Sequence, residues 1–208
     1  ILHTLYISPL KSLAYDIERN LRIPFKDSKI NITLDVRTGD TSAYKKKLLI
    51  EKPPNFLITT PESFALLMSY KNSRNYFSSL KCLIIDELHN IMHTKRGDLL
   101  TLNISRLNSF VPKLNKIALS ATIKNKKNAL DYISNKKKRI VIEYQRKKKY
   151  NLNILKSKNN IPWSGHLASY AITDIYKKIS DKYCTVIFVN TRAQSEFLFK
   201  GLWDINYK

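Results

Sequence analysis

Short apolar runs, each ending in a polar tip and separated by helical patterns, constrain this chain more than any other feature. Thr4-Leu5-Tyr6-Ile7, Ile30 to Val36, Phe56-Leu57-Ile58-Thr59, Cys82-Leu83-Ile84-Ile85 and Lys116-Ile117-Ala118-Leu119 read as strands. Runs apolar at successive positions are buried on both faces, as in a parallel sheet covered by helices. Between them, Leu10, Leu13, Ala14, Ile17 and Leu21 repeat at helical spacing, and Ser42 to Glu51 is helical until Pro53-Pro54. Thr60 caps a further helix with Pro61 at its first position, where the missing N–H costs nothing. Leu99 to Phe110 and Ala129 to Ile133 are helical, and Ile140-Val141-Ile142 is extended. The expected fold class is α/β, a parallel sheet with helices on both faces.

From Arg146 to Pro162 this pattern fails in a Lys- and Asn-rich stretch that reads as a linker. A second unit follows: a helix from about His166 to Ile179, a strand Thr185 to Val189 and a helix from Ala193 to Leu202. The expected organisation is a first domain at 1–145, a linker at 146–162 and the start of a second domain at 163–208. The chain opens on Ile1 already in a strand pattern and stops at Asn206-Tyr207-Lys208 without a cap, so it reads as a fragment.

Glycine usage excludes two nucleotide-binding loops. None of Gly39, Gly97, Gly165 and Gly201 is followed by Lys, so G-x-x-x-x-G-K-[S/T] is absent. The nearest two glycines are 36 positions apart, so G-x-G-x-x-G is impossible. Cys82 and Cys184 form no C-x-x-C, which fits a reducing cytoplasm, and no apolar run is long enough to span a membrane. Thirty-seven Lys and Arg against 16 Asp and Glu give a net charge of +21, which favours a polyanionic partner such as nucleic acid. An AT-rich coding sequence yields the same wealth of Lys, Asn, Ile and Tyr, so charge does not carry the argument.

Ligands of an open parallel sheet gather at the carboxyl ends of its strands. Those ends carry Ser8-Pro9, Arg37-Thr38-Gly39-Asp40, Thr60-Pro61-Glu62, Asp86-Glu87-Leu88-His89, Ser120-Ala121-Thr122 and Asn190-Thr191-Arg192. Asp86-Glu87 after an apolar strand puts two carboxylates at one tip. One can hold Mg²⁺ through water and the other can orient an attacking water. Taken singly, Asp86-Glu87, Ser120-Ala121-Thr122 and Thr60-Pro61-Glu62 also read as helix caps or starts. His89 and His93 lack the Glu of H-E-x-x-H, which argues against zinc.

In order along the chain, these pieces resemble the superfamily 2 helicases of the DEAD/DEAH type. Tyr6-Ile7-Ser8-Pro9-Leu10-Lys11-Ser12-Leu13-Ala14 is similar to motif Ia, and Val36-Arg37-Thr38-Gly39-Asp40-Thr41 and Ile58-Thr59-Thr60-Pro61-Glu62-Ser63 to motifs Ib and Ic. Ile84-Ile85-Asp86-Glu87-Leu88-His89 resembles motif II, Leu119-Ser120-Ala121-Thr122 motif III, and Thr185 to Arg192 motif IV. With Thr94-Lys95-Arg96-Gly97, the set is similar to the large helicase-related family.

The resemblance implies a RecA-like sheet, the start of a second RecA-like domain, ATP and Mg²⁺ as cofactors, and single-stranded DNA or RNA as partner. It implies that Asp86 positions Mg²⁺ through water, that Glu87 activates water, and that His89 relays nucleotide state to Ser120 and Thr122. Pro9, Lys11, Arg37, Thr38, Gly39, Thr60, Pro61 and Glu62, with Thr191 and Arg192 from the second domain, are expected to line the strand track. Motif I and the arginine motif VI do not occur in the sequence. The chain alone is therefore expected to hydrolyse ATP at background, with neighbouring reading frames as a source of the missing parts. Two alternatives are a non-catalytic basic nucleic-acid-binding remnant and a decayed gene fragment.

Overall fold

The structure, a computed structural model, describes residues 1–134, 139–144, 151–155 and 169–207. The chain divides into two compact units, Ile1–Glu143 and Tyr144–Lys208.

The first unit is a five-stranded parallel sheet of β1 (Thr4–Ile7), β2 (Leu34–Arg37), β3 (Phe56–Thr59), β4 (Cys82–Ile85) and β5 (Asn115–Ala118). Their spatial order is β2-β3-β1-β4-β5. After β1 the chain moves towards β2, and after β4 it moves the opposite way to β5. The switch point, where parallel sheets leave a crevice at their carboxyl ends, therefore lies between β1 and β4.

Alternation along the strands divides the core. Leu5 and Ile7 of β1, Leu57 of β3, and Leu83 and Ile85 of β4 face one side. They pack with α3 (Pro61–Ser69), α4 (Ser73–Phe77), α5 (Leu88–Ile91), α6 (Lys95–Phe110) and α7 (Lys126–Ile133). Tyr6, Val36 and Ile58 face the other side and meet Ala14, Ile17 and Leu21 of α1 (Lys11–Asp27). Continuous apolar runs give this two-sided burial, because each successive residue changes face. The remaining helix of the unit, α2 (Ala43–Glu51), is capped by Ser42, whose Oγ accepts from the Lys45 N–H.

Several element boundaries differ from expectation. The strand expected from Ile30 starts at Leu34, because its partner β3 starts at Phe56 and Leu34 pairs with Phe56. Just before that point the Asn55 side chain accepts from the Thr33 N–H and hydroxyl and closes the ladder. Helix α6 starts at Lys95 rather than Leu99, because the Thr94 hydroxyl accepts from the Gly97 N–H and caps it early. Helices α4 and α5 are too short to leave a periodic signal.

Ile140-Val141-Ile142 is not a strand, and Ile142 is 95% exposed. In the second unit, Ser169–Ala171 forms a 3₁₀ turn leading into α8 (Ile172–Ile179), and α9 spans Arg192–Asn206. The beginning of the helix expected from His166 lies outside the described residues. So does most of the linker expected at 146–162. The strand expected at Thr185 to Val189 is not paired, and Phe188 is 91% exposed. An apolar run becomes a strand only when a neighbour supplies the hydrogen-bonding ladder, and the described residues of this unit contain none. Among the described residues no helix is long and apolar enough to cross a membrane.

Among the described residues, the largest fully buried side chain is that of Arg37, 1% exposed at the end of β2. Its Nη1 donates to the Ser63 carbonyl at 3.0 Å and its Nη2 to the Tyr70 hydroxyl at 3.0 Å. The Tyr70 ring lies 5.8 Å from the guanidinium carbon, and Nε finds no hydrogen-bond partner among the described residues. This cation ties the sheet edge to both ends of α3. Arg37→Ala leaves a cavity and removes the tie from the sheet edge to Ser63 and Tyr70, so it should destabilise the fold by about 2–4 kcal/mol, read by denaturant unfolding.

Candidate functional site

The carboxyl ends of β1 and β4 fix the acidic tip. The Asp86 N–H donates to the Ile7 carbonyl at 2.9 Å, and the Leu88 N–H to the Leu119 carbonyl at 3.0 Å. Between these two anchors Glu87 adopts φ 47°, ψ 46°, the left-handed region. A non-glycine residue held there stores about 1–3 kcal/mol of strain, which such sites retain where geometry matters. The turn is closed by the Glu87 N–H donating to Asp86 Oδ1 at 2.9 Å and the Asn90 N–H donating to the Glu87 carbonyl at 2.8 Å.

His89 connects this tip to the next strand end. Its Nδ1 lies 3.0 Å from Ser120 Oγ and 3.3 Å from Glu87 Oε2. The Ser120 hydroxyl donates to the Thr122 carbonyl at 3.2 Å, so Ser120 Oγ is left to accept and the proton belongs on Nδ1. The expected group Asp86, Glu87, His89 and Ser120 is thus brought together. Thr122 joins through its backbone carbonyl, with its side chain exposed.

Tyr6 was not singled out by the sequence. It sits opposite Ile84 in the β1–β4 register, on the sheet face that Asp86 continues. Burial first, then a hydrogen bond to Asp86, then the charges of Asp86 and Glu87 hold its phenol far above its ordinary range. It therefore stays a neutral donor to the carboxylate. An aromatic residue within an apolar strand reads as core, so its polar end left no signal.

Among the described residues no group of three or more His, Cys, Asp and Glu gathers as a metal cage. Mg²⁺ commonly binds one or two carboxylates and completes its shell with water and substrate phosphates, and the Asp86 tip fits that role.

Along the same rim runs a groove of about 550 Å³. Of the residues expected on the strand track, Pro9, Lys11, Gly39, Thr60 and Glu62 line it, joined by Ser63, Leu66 and Arg96. Lys11 Nζ meets Asp40 Oδ1 at 2.6 Å, and Lys46 Nζ donates to the Gly39 carbonyl at 2.8 Å. A Cβ at Gly39 would come within 3.3 Å of Lys11 Nζ, the movable end of a long side chain.

Five expected track residues are buried: Pro9 and Thr60, which border the groove, and Arg37, Thr38 and Pro61 beneath it. Arg37 is committed to Ser63 and Tyr70 and is not an exposed cation, which corrects its expected role. Thr38 is fully buried; its N–H donates to Thr41 Oγ1 at 2.9 Å, and its Oγ1 accepts from the Asp40 N–H at 3.3 Å. It shapes the Gly39 turn from below. Pro61 is buried as the first residue of α3. In the second unit, Thr191 caps α9 in a reciprocal box with Gln194, and exposed Arg192 lies 3.5 Å from Glu196.

The expected roles also left out Arg96. Its Nε donates to Glu62 Oε1 at 2.5 Å, and its Nη2 to Glu62 Oε2 at 3.2 Å and to the Pro9 carbonyl at 2.8 Å. Only its place in Thr94-Lys95-Arg96-Gly97 hinted at it.

A family model described as DEAD/DEAH box helicase matches residues 2–130. The chain belongs to the DEAD/DEAH box helicase family. It is 33% identical to the ATP-dependent helicase Lhr-Core of Methanocaldococcus jannaschii over 94% of this chain and 24% of that protein. Against the Lhr-Core helicase of Methanothermobacter thermautotrophicus it is 31% identical over 96% of this chain and 25% of that protein. The structure of Mycobacterium smegmatis helicase Lhr bound to ssDNA and AMP-PNP matches with a TM-score of 0.80 and 30% identity, covering 99% of this chain and 28% of that one. This helicase-family chain therefore spans about a quarter of the length of these relatives, and its parallel sheet is RecA-like.

Burial opposes ionisation of Glu62, but hydrogen bonds from Arg96, its own backbone and Thr60, together with the Arg96 charge, outweigh it and lower its pKa. A lowered folded value stabilises the protein above the ordinary carboxylate value of 4.5 and ceases to do so as pH falls through the folded value. The melting temperature of the wild type should therefore exceed that of Glu62→Gln at neutral pH. The gap should close in acid, below that ordinary value.

Proposed function

We propose that this chain is the strand-gripping and carboxylate-bearing part of an ATP-dependent superfamily 2 DNA or RNA helicase. The observation that carries this reading is the shared rim. The groove lined by Lys11, Gly39, Thr60 and Glu62 and the Asp86–Glu87–His89–Ser120 group stand at the carboxyl ends of one sheet. In this reading, unit 1 is most of the first RecA-like domain and unit 2 the start of the second. The relative from Mycobacterium smegmatis, bound to ssDNA and AMP-PNP, supports the choice of a single strand and of ATP.

Lys11 would meet the phosphates of the strand. Its pair with Asp40 is half exposed on both sides, and such pairs are worth only about 0–1 kcal/mol, so a phosphate can displace the carboxylate. Contacts of this kind hold sugar and phosphate, so binding is salt-sensitive and blind to sequence. At the other end of the rim, Asp86 would hold Mg²⁺ through water, and Mg²⁺ would neutralise phosphate charge. Glu87, aimed by its left-handed turn, would orient water and accept its proton. His89 would report the state of that site to Ser120.

Fluorescence anisotropy with labelled oligothymidylate tests the groove. Binding should occur without ATP and weaken steadily with salt. Lys11→Ala should weaken it and reduce the magnitude of the salt slope by about 1. Failure to bind at low salt removes the reading.

ATP hydrolysis by these 208 residues is a separate matter. The phosphate loop and the charge-neutralising arginines, worth about 10³–10⁵ in rate in related NTPases, are not in the sequence. Turnover should sit at background and stay unchanged in the Asp86→Ala, Glu87→Gln double variant. Clear Glu87-dependent turnover would refute this.

A further inference from the structure

We propose that Arg96 is a positioning residue that makes the carboxylate tip and the strand groove move as one piece. The proposal rests on the reading of groove and tip given above, and it adds a physical link between them.

The link is a short, taut stretch of chain. Leu88 is fastened at one end by its N–H to the Leu119 carbonyl, one residue from Glu87 and His89. Helix α5 makes a single turn and ends at Ile91, whose carbonyl accepts from both the Thr94 N–H at 3.1 Å and the Thr94 hydroxyl at 2.8 Å. Thr94 in turn caps α6 at the Gly97 N–H. A Cβ on Gly97 would lie 2.2 Å from the Ile91 carbonyl oxygen, so the two helices touch backbone to backbone. The start of α6 has no room to slide independently of α5.

Arg96 projects from that first turn of α6 and holds two separate groove segments. One nitrogen of its guanidinium donates to the Pro9 carbonyl after β1, while the same fork grips both oxygens of Glu62 at the start of α3. A two-pronged contact of this kind fixes direction as well as distance, which a lysine cannot do. The cation therefore does not stand free in the groove as a phosphate contact. It is spent on locking the walls to the segment that carries Glu87 and His89. Displacement at either end must either carry the other with it or break these bonds.

Hydrogen exchange of the 208-residue chain with and without oligothymidylate tests the link, alongside anisotropy for binding. In the wild type, binding should slow exchange at Glu87 to Asn90, residues outside the groove lining. In Arg96→Met, oligonucleotide should still bind, roughly 3–10-fold more weakly for loss of about one ordered contact. The slowing at Glu87 to Asn90 should disappear. A merely structural role would lower the melting temperature and leave that response in place. If Arg96→Met gives no cooperative melt, Glu62→Gln serves as the second variant and should lose the response in the same way. Binding by the wild type with no change at Glu87 to Asn90, or an undiminished response in a folded variant, overturns the link alone. No binding by the wild type overturns the groove reading and the link with it.

Discussion

Strand β1 and its two neighbours set everything else in the first unit. It is buried on both faces, and its backbone is engaged on both edges, by β3 on one side and β4 on the other. Just past its end, the Ile7 carbonyl receives the Asp86 N–H while the Ser8 N–H donates to the Thr59 carbonyl. One strand therefore fixes the height of the acidic tip to one side and of the Thr60–Glu62 wall to the other. Because backbone hydrogen bonds in a buried sheet are costly to break unpaired, neither can be raised or lowered alone.

The chemistry at the rim follows from this rigidity. A carboxylate pair at a strand tip is common, and most such pairs do no more than cap helices. Here Glu87 is held in a conformation that L-residues avoid, between two anchored backbone groups, with its carboxylate within reach of His89. Next door, the Ser120 hydroxyl is oriented by the Thr122 carbonyl, so a proton is assigned to one nitrogen of the histidine.

Charge and burial divide the basic residues by task. Arg37 gives its guanidinium to the core, Arg96 to the groove walls, and Lys11 to a carboxylate that solvent or phosphate can replace. The net charge of +21 describes none of these differences. They depend on whether the cation lies under the surface, bridges two segments or reaches into an open channel. The aromatic faces divide likewise: Tyr70 lies against Arg37, whereas Phe199, Trp203 and Tyr207 form an exposed row along α9.

The sequence determined the parallel sheet, the five strands and longer helices of unit 1 in their order, and the residues at each strand tip. Uninterrupted apolar runs, helical spacing and local caps such as Thr60-Pro61 are properties of neighbouring residues and need no distant partner. The helicase family was legible for the same reason, since its motifs are short and ordered. What needed the tertiary structure were facts about residues far apart in the chain. The start of β2 was decided by where β3 begins, and the fate of Thr185 to Val189 by the lack of a neighbouring strand among the described residues. Arg37, read as a surface cation, went inside because Ser63 and Tyr70 offered acceptors there. Arg96 and Tyr6 acquired their roles only when folding brought Glu62, Pro9 and Asp86 to them, and no local spacing encodes such a meeting.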